Sequence, residues 1–313
     1  LDYRLKFPSA VRTTGAPTPV ERTFRAMGTS CHVIAHGGGG EAAVDQIVAD
    51  IERLSGLWTR FDQASEVSQL NAAVGRRMSV TADTRRLAQR ALVGWRLSSG
   101  RFDPFQVARM SVVGYGRDFA DLATVDRPGR VRVQRTRPPV VIDPRRNTVM
   151  VTAGNGLDSG GIGKGFAADL TAAAALRRGV RSVLVNLGGD LKCAGVTPAG
   201  GWRVSLDDAW RPGHESGTSI KLQAGAVCTS SPLHRSWRYS DGTEGNHLLD
   251  PRTGLSVASP IAAVSVIARH GWLAEVLSKT VLLSPQRRVR GLLAHRQAAA
   301  IVTYRDGSRV QLP

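Results

Sequence analysis

The sequence predicts an α+β fold, with mixed sheets and helices packed against them, and three observations predict it. Some segments alternate small polar and apolar residues in the manner of strands. Others repeat apolar residues at helical spacing. The two kinds follow one another without the strict strand–helix alternation that a doubly wound parallel sheet requires. With 313 residues, 42% of them hydrophobic, the chain can bury one large core or two intimately packed subdomains.

Taken in order, residues 1–22 mix Pro, Thr and Arg without periodicity and read as an N-terminal arm, so the folded domain is expected over residues 23–313. Residues 23–36 read as one strand, the glycines at 37–40 break it, and 41–57 carry apolar residues at helical spacing. A second helix is expected over 83–98, with Leu87, Ala91, Leu92 and Trp95 on one stripe and Gly100 beyond its end. The proline-flanked stretch 128–139 reads as a connector, followed by strands at 140–143 and 147–152. Residues 164–176 form an alanine-rich helix pattern ending before Gly179, and 181–187 a buried strand. Further strands are expected at 202–206, 219–222, 226–229 and 262–268, then a helix over 272–283 and a terminal helix–strand pair, 290–295 and 298–304. No internal repeat is present.

The formal charge is +17, and since only five of the 42 basic residues are lysines, the excess is arginine. Such a surface can attract nucleic acid, anionic lipid or an anionic ligand, or it can be arginine spread over solvated faces. The arginines are scattered, whereas a nucleic-acid footprint needs clustering, so no specific nucleic-acid partner is expected. Three widely spaced cysteines, without a C-x-x-C pair, indicate neither a disulfide framework nor a zinc site. No apolar run approaches the roughly 18 residues of a membrane span, and the first residues contain no hydrophobic signal core. A soluble, cytoplasmic protein is expected from the chain as it stands; it starts at Leu1, and a removed leader would change the compartment.

Three clusters carry chemistry. Asp158-Ser159-Gly160-Gly161-Ile162-Gly163-Lys164-Gly165-Phe166 is a glycine-dense turn running into a helix. Its backbone amides and helix N-terminus suit a phosphate, and a tight turn without ligand suits the same pattern. It matches neither a Walker loop nor a Rossmann fingerprint. His247-Leu248-Leu249-Asp250-Pro251-Arg252-Thr253-Gly254 sets an imidazole and a carboxylate beside a rigid turn, either as a general base with its orienting partner or as a structural pair. Glu275, Ser278 and Lys279 share one helix face, either as a functional group or as a surface ion pair.

Seven motifs in one order add to this reading. Arg25-Ala26-Met27-Gly28-Thr29, Phe61-Asp62-Gln63-Ala64-Ser65-Glu66-Val67-Ser68-Gln69-Leu70-Asn71, Gly100-Arg101-Phe102-Asp103-Pro104, the 158–165 turn, Val185-Asn186-Leu187-Gly188-Gly189-Asp190, the 247–254 stretch and Ala274-Glu275-Val276-Leu277-Ser278 together resemble the ApbE family of FAD:protein FMN transferases over about residues 23–285. The resemblance implies FAD as ligand and, as partner, an acceptor flavoprotein whose Thr or Ser hydroxyl receives FMN while AMP leaves. It implies that Met27, Phe61 (often tyrosine in the family), Arg101, Phe102 and Asp103 line the flavin and adenine. Asp158 would hold the nucleotide, Gly161 and Lys164 would flank the diphosphate, and Leu249 would pack on the cofactor. Asn186, Gly188, Gly189 and Asp190 would shape the strand end beside the site. His247 is the candidate base, with Asp250 orienting it or its loop.

The resemblance also implies Mg²⁺ held by Gly161 of the loop and by the late helix. There the chain departs from the family pattern, with Glu275 for an aspartate and Lys279 for a threonine beside Ser278. Either Lys279 neutralises the diphosphate itself, or Mg²⁺ shifts toward Glu275, Ser278 and the loop carbonyls. Hydrolysis of FAD to FMN and AMP, and FAD binding without turnover, are the alternatives to transfer.

Overall fold

The computed structural model describes residues 19–116, 126–128, 137–196, 201–206 and 219–313. The chain opens with a hairpin, β1 (Val20–Ala26) and β2 (Thr29–His36), where the sequence suggested one strand from residue 23. Met27 and Gly28 turn it with φ of 52° and 68°, the left-handed pair of a two-residue hairpin. A methionine is not a turn residue by type, so the alternation reads straight through it. Next come α1 (Gly40–Trp58), α2 (Glu66–Ala72), β3 (Met78–Ser79), α3 (Ala82–Leu97), α4 (Val107–Val112), β4 (Val140–Asp143) and β5 (Thr148–Val151). A 3-10 turn, Ser159–Gly161, leads into α5 (Gly163–Arg177), β6 (Ser182–Leu187), β7 (Asp190–Gly195), β8 (Trp202–Ser205), β9 (Ser219–Leu222) and β10 (Gly225–Ser230). The chain continues as β11 (Ser236–Arg238), β12 (Glu244–Asn246), β13 (Ile261–Ala268), α6 (Gly271–Leu282), α7 (Gln286–His295), β14 (Ala299–Tyr304) and β15 (Arg309–Leu312). Most of the expected connector, residues 129–136, lies outside the described residues.

The α+β class holds. The main sheet has eight strands in the order β1-β2-β6-β7-β10-β13-β14-β15, and every neighbouring pair is antiparallel. Helices α1, α5 and α6 cover one face, while the β8–β9 ribbon covers part of the other, where Val204 and Leu222 meet Ile34, Leu184, Leu191 and Val227. A small sheet, β3-β5-β4, stands beside the bundle. It feeds the glycine-rich turn, and the turn's approach is clamped by Asn71, whose side chain exchanges two hydrogen bonds with the Leu157 backbone at 2.7 and 2.8 Å.

Small residues place the site. Ala167, Ala168, Ala172 and Ala175 on α5 are buried, so the helix lies close to its neighbours. At its N-terminus a Cβ on Gly165 would fall 2.4 Å from the Gly271 carbonyl oxygen, so the first turns of α5 and α6 touch backbone to backbone. That contact brings Lys164 beside Glu275. Helix α6 is buried on nearly every side, Glu275 and Ser278 included, which removes the surface ion-pair reading of the late helix. Among the described residues no helix is long and apolar enough to cross a membrane. Cys31, Cys193 and Cys228 are free and buried.

Candidate active site

Four charged side chains meet where α5, α6 and β7 converge. Lys164 Nζ donates to Asp190 Oδ2 and lies 3.9 Å from Glu275 Oε1, and Lys279 Nζ stands 3.4 Å from the same Glu275 oxygen. Glu275 Oε2 accepts from the Gly165 amide at 2.9 Å. Burial pushes the Glu275 carboxyl above its ordinary range, against the pull of Lys279, Lys164 and the Gly165 amide. For Lys164 burial works the other way, but Asp190 and Glu275 outweigh it and hold the ammonium above its ordinary value. Lys164 is therefore a permanent cation whose side chain remains 22% exposed. Ile162, at the start of α5, provides no side-chain cap, and of the helix's first amides the Gly165 N–H is taken by Glu275 Oε2. Gly161 lies against Phe102 and the Lys279 stem, at 3.1 and 3.6 Å from a notional Cβ, and so seats the turn directly on the late helix.

A second wall is aromatic and basic. The Arg60 guanidinium lies over the rings of Phe61 (4.3 Å) and Tyr115 (4.7 Å) and 3.6 Å from Asp158. Asp158 in turn caps the 3-10 turn by accepting from Gly160 N at 2.9 Å. Phe61, 40% exposed, keeps a face open for stacking. Arg235 donates to the Tyr115 hydroxyl at 2.9 Å and to the Gly28 carbonyl at 3.4 Å, tying the Met27–Gly28 turn to this wall. Arg60, Tyr115 and Arg235 were not selected from sequence. Arg60 adjoins the motif aromatic, which is a usable signal; Arg235 and Tyr115 arrive only through tertiary contacts.

His247 sits beside Arg235, whose carbonyl accepts from the His247 backbone (3.1 Å) and faces its Nδ1 (3.3 Å). Since a carbonyl only accepts, Nδ1 carries the proton and Nε2 keeps its lone pair. Burial, then the charges of Arg235 and Lys279, lower the imidazole from 6.5 to about 3. Asp250 does not orient this ring. It holds Arg252 (side chain 2.8 Å, backbone 2.9 Å), and its carbonyl accepts from Gly254 N at 2.7 Å, so its work is to shape the Pro-Arg-Thr-Gly turn. Buried Arg109 supports the turn from behind, donating to the Pro251 carbonyl at 3.0 Å.

The remaining expected contacts divide. Met27 is fixed at the hairpin turn, its amide donating to Ser55 Oγ at 3.1 Å. Arg101 Nη1 is buried without a hydrogen bond among the described residues, a donor awaiting an acceptor. Asp103 is spent partly on the Phe105 amide at 3.0 Å. Phe102 and Leu249, 2% and 5% exposed, back the site and do not form its surface; Leu249 packs with Met110, Val113, Tyr115 and Trp237. A depression of about 320 Å³ lined by Arg85, Arg86, Gln89, Arg90, Phe166 and Leu170 contains none of these groups.

The residues present do not fit the Mg²⁺ that the family resemblance implies. Both Glu275 oxygens are engaged, and the Ser278 hydroxyl is shared with Ser230 Oγ (2.7 Å) and the Glu275 carbonyl (3.0 Å). Lys279 presents an ammonium where a ligand oxygen would be needed. Among the described residues no group of three His, Cys, Asp or Glu side chains could hold a metal ion.

A sequence model of the ApbE family matches residues 27–302. The chain belongs to the ApbE family. It is 27% identical over 234 residues to an FAD:protein FMN transferase of Klebsiella pneumoniae, covering 73% of this chain and 71% of that protein. It is 26% identical over 253 residues to one from Treponema pallidum, covering 76% and 70%. Among solved structures, the ApbE protein of Thermotoga maritima superposes with a TM-score of 0.84 at 25% identity, covering 94% of this chain and 97% of that one. The expected ApbE-like α+β fold is thereby matched over nearly the whole chain.

Proposed function

We propose that this protein transfers the FMN half of FAD to a Thr or Ser hydroxyl of an acceptor protein. The hydroxyl oxygen bonds to the FMN phosphorus, the phosphoanhydride bond breaks, and AMP leaves. The observation that carries the proposal is the convergence of the Lys164 and Lys279 ammonium groups beside the glycine-rich turn that opens α5, two fixed cations placed for a diphosphate. Phosphoryl-type transfer needs positioning and charge neutralisation more than covalent help, and this set supplies both. Phe61 and Arg60 offer a stacking face, and Arg101 an unsatisfied donor, for the rest of the dinucleotide. His247 Nε2 takes the proton of the attacking hydroxyl and passes it to solvent. Burial and the charges of Arg235 and Lys279 keep the ring neutral throughout the working pH range, so Nε2 presents a lone pair, and the same shift makes it a weak base.

The test is to incubate the protein with FAD, with and without an acceptor carrying a flavinylation Thr, and to resolve AMP, FMN and protein-bound flavin. Bound flavin formed only with acceptor supports transfer. FMN and AMP formed equally without acceptor make the protein an FAD hydrolase, and intact FAD in both makes it a binding protein.

A further inference from the structure

We infer that Lys279 is a built-in counter-ion to the FAD diphosphate, and that this chain binds and turns over FAD without a divalent metal. The inference rests on the transfer reading and concerns how the same site neutralises charge. Lys279 is held, not loose: its side chain is 12% exposed, its Nζ is within 3.4 Å of both the Glu275 carbonyl and Oε1, and its stem lies against Gly161 of the phosphate-binding turn. An ammonium has three donors. Two are directed at Glu275, which leaves one for a phosphate oxygen arriving at the turn.

The surrounding oxygens are committed to ammonium and amide partners. Glu275 serves Lys279, Lys164 and Gly165 N, while Asp190 Oδ2 serves Lys164. Two acidic groups face two basic ones, with Arg235 near enough to add its field to Lys164 and His247. A divalent ion would have to displace an ammonium and lose most of its own water to reach these oxygens. Asp190 Oδ1 is buried without a hydrogen bond among the described residues, but a single carboxylate oxygen is too small a donor set for Mg²⁺.

The experiment titrates FAD into the full chain by flavin fluorescence, in EDTA and in Mg²⁺, and separately titrates Mn²⁺ alone, reading bound Mn²⁺ by electron paramagnetic resonance. Wild type is expected to bind FAD within about twofold in the two buffers, since the ammonium carries the charge, and to show no saturable Mn²⁺ site. In Lys279→Thr, FAD affinity in EDTA should fall by about tenfold or more, recover in Mg²⁺, and be accompanied by a new Mn²⁺ site. Lys279→Arg should remain indifferent to metal. Loss of wild-type FAD binding in EDTA with recovery in Mg²⁺, or a tight wild-type Mn²⁺ site, overturns the inference even if no Lys279 variant folds. So does absence of FAD binding in both buffers, because Lys279 then has no diphosphate to serve. Metal-indifferent FAD binding with no AMP formed in either buffer defeats the transfer reading and the turnover half of the inference, while the counter-ion role stands.

Discussion

Alanine substitutions at two helical glycines should change stability in opposite directions, and the reason is local. At Gly165, on the first turn of α5, a Cβ would lie 2.4 Å from the Gly271 carbonyl oxygen and 2.6 Å from its carbon. Both are backbone atoms that no rotamer change can move. To reach ordinary contact the helices must part by about 1 Å, an overpacking cost of about 1–3 kcal/mol. The helix-propensity gain of about 0.5–1 kcal/mol from Gly to Ala offsets part of it, so Gly165→Ala should lose about 1–2 kcal/mol. At about 2–4 °C per kcal/mol, Tm should fall by roughly 2–8 °C. At Gly291, inside α7, nothing lies within 4 Å of a notional Cβ, so only the propensity gain remains and Tm should rise by a few degrees. Calorimetry of both variants decides the matter. The Gly165 variant should also bind FAD more weakly, since parting the helices separates Lys164 from Glu275. Equal stabilisation by both substitutions would refute the close helix contact and the site geometry built on it.

His247→Ala should keep FAD affinity within a few-fold while slowing transfer by about 10²–10⁴, measured under single-turnover conditions. Wild-type transfer should show no acidic limb near the ordinary histidine value of 6.5, because burial and the charges of Arg235 and Lys279 place the ring at about 3; a limb near 6.5 that vanishes in His247→Ala would contradict that placement. The same shift fixes a sign for stability: the unfolded imidazole takes up a proton that the folded one refuses, so stability falls as pH drops from about 6.5 toward about 3, and His247→Gln should flatten that slope in denaturant titrations. Phe61→Ala should weaken FAD binding by roughly tenfold through lost stacking, and Phe61→Tyr should retain it; unchanged affinity in the alanine variant would remove Phe61 from the flavin or adenine contact.

Periodic elements were legible where their own residues determine them. Strand 140–143 and strand 219–222 have the predicted bounds, and α3, α5 and α6 fall within a residue or so of theirs. Elements that depend on neighbours were not legible. Strand β7, Asp-Leu-Lys-Cys-Ala-Gly, alternates over only its first four residues, and Gly188 and Gly189, at φ of 66° and 93°, fold it back on β6, helped by Asn186 Oδ1 accepting from Gly189 N. Helices α2 and α4 are too short for a periodic signal, and β1 begins at Val20 because pairing with Ala35 extends it beyond the expected start. In the site, motif order brought out Lys164, Asp158 and His247. Spacing alone could not tell whether Glu275 and Lys279 were exposed; the Gly165–Gly271 contact makes that decision, and it lies in tertiary packing. Arg235 is likewise invisible in one dimension, since it enters through the carbonyl that holds His247 and the hydroxyl of Tyr115.

The central claim is that phosphoester-linked flavin forms on an acceptor as AMP leaves. Intact-mass analysis of an acceptor incubated with FAD and this protein, with AMP measured in the same sample, tests it most directly. The account predicts an acceptor heavier by one FMN phosphoester, lost when its target Thr is replaced by Ala, and AMP in an amount equal to the bound flavin. AMP released over an acceptor of unchanged mass would contradict it.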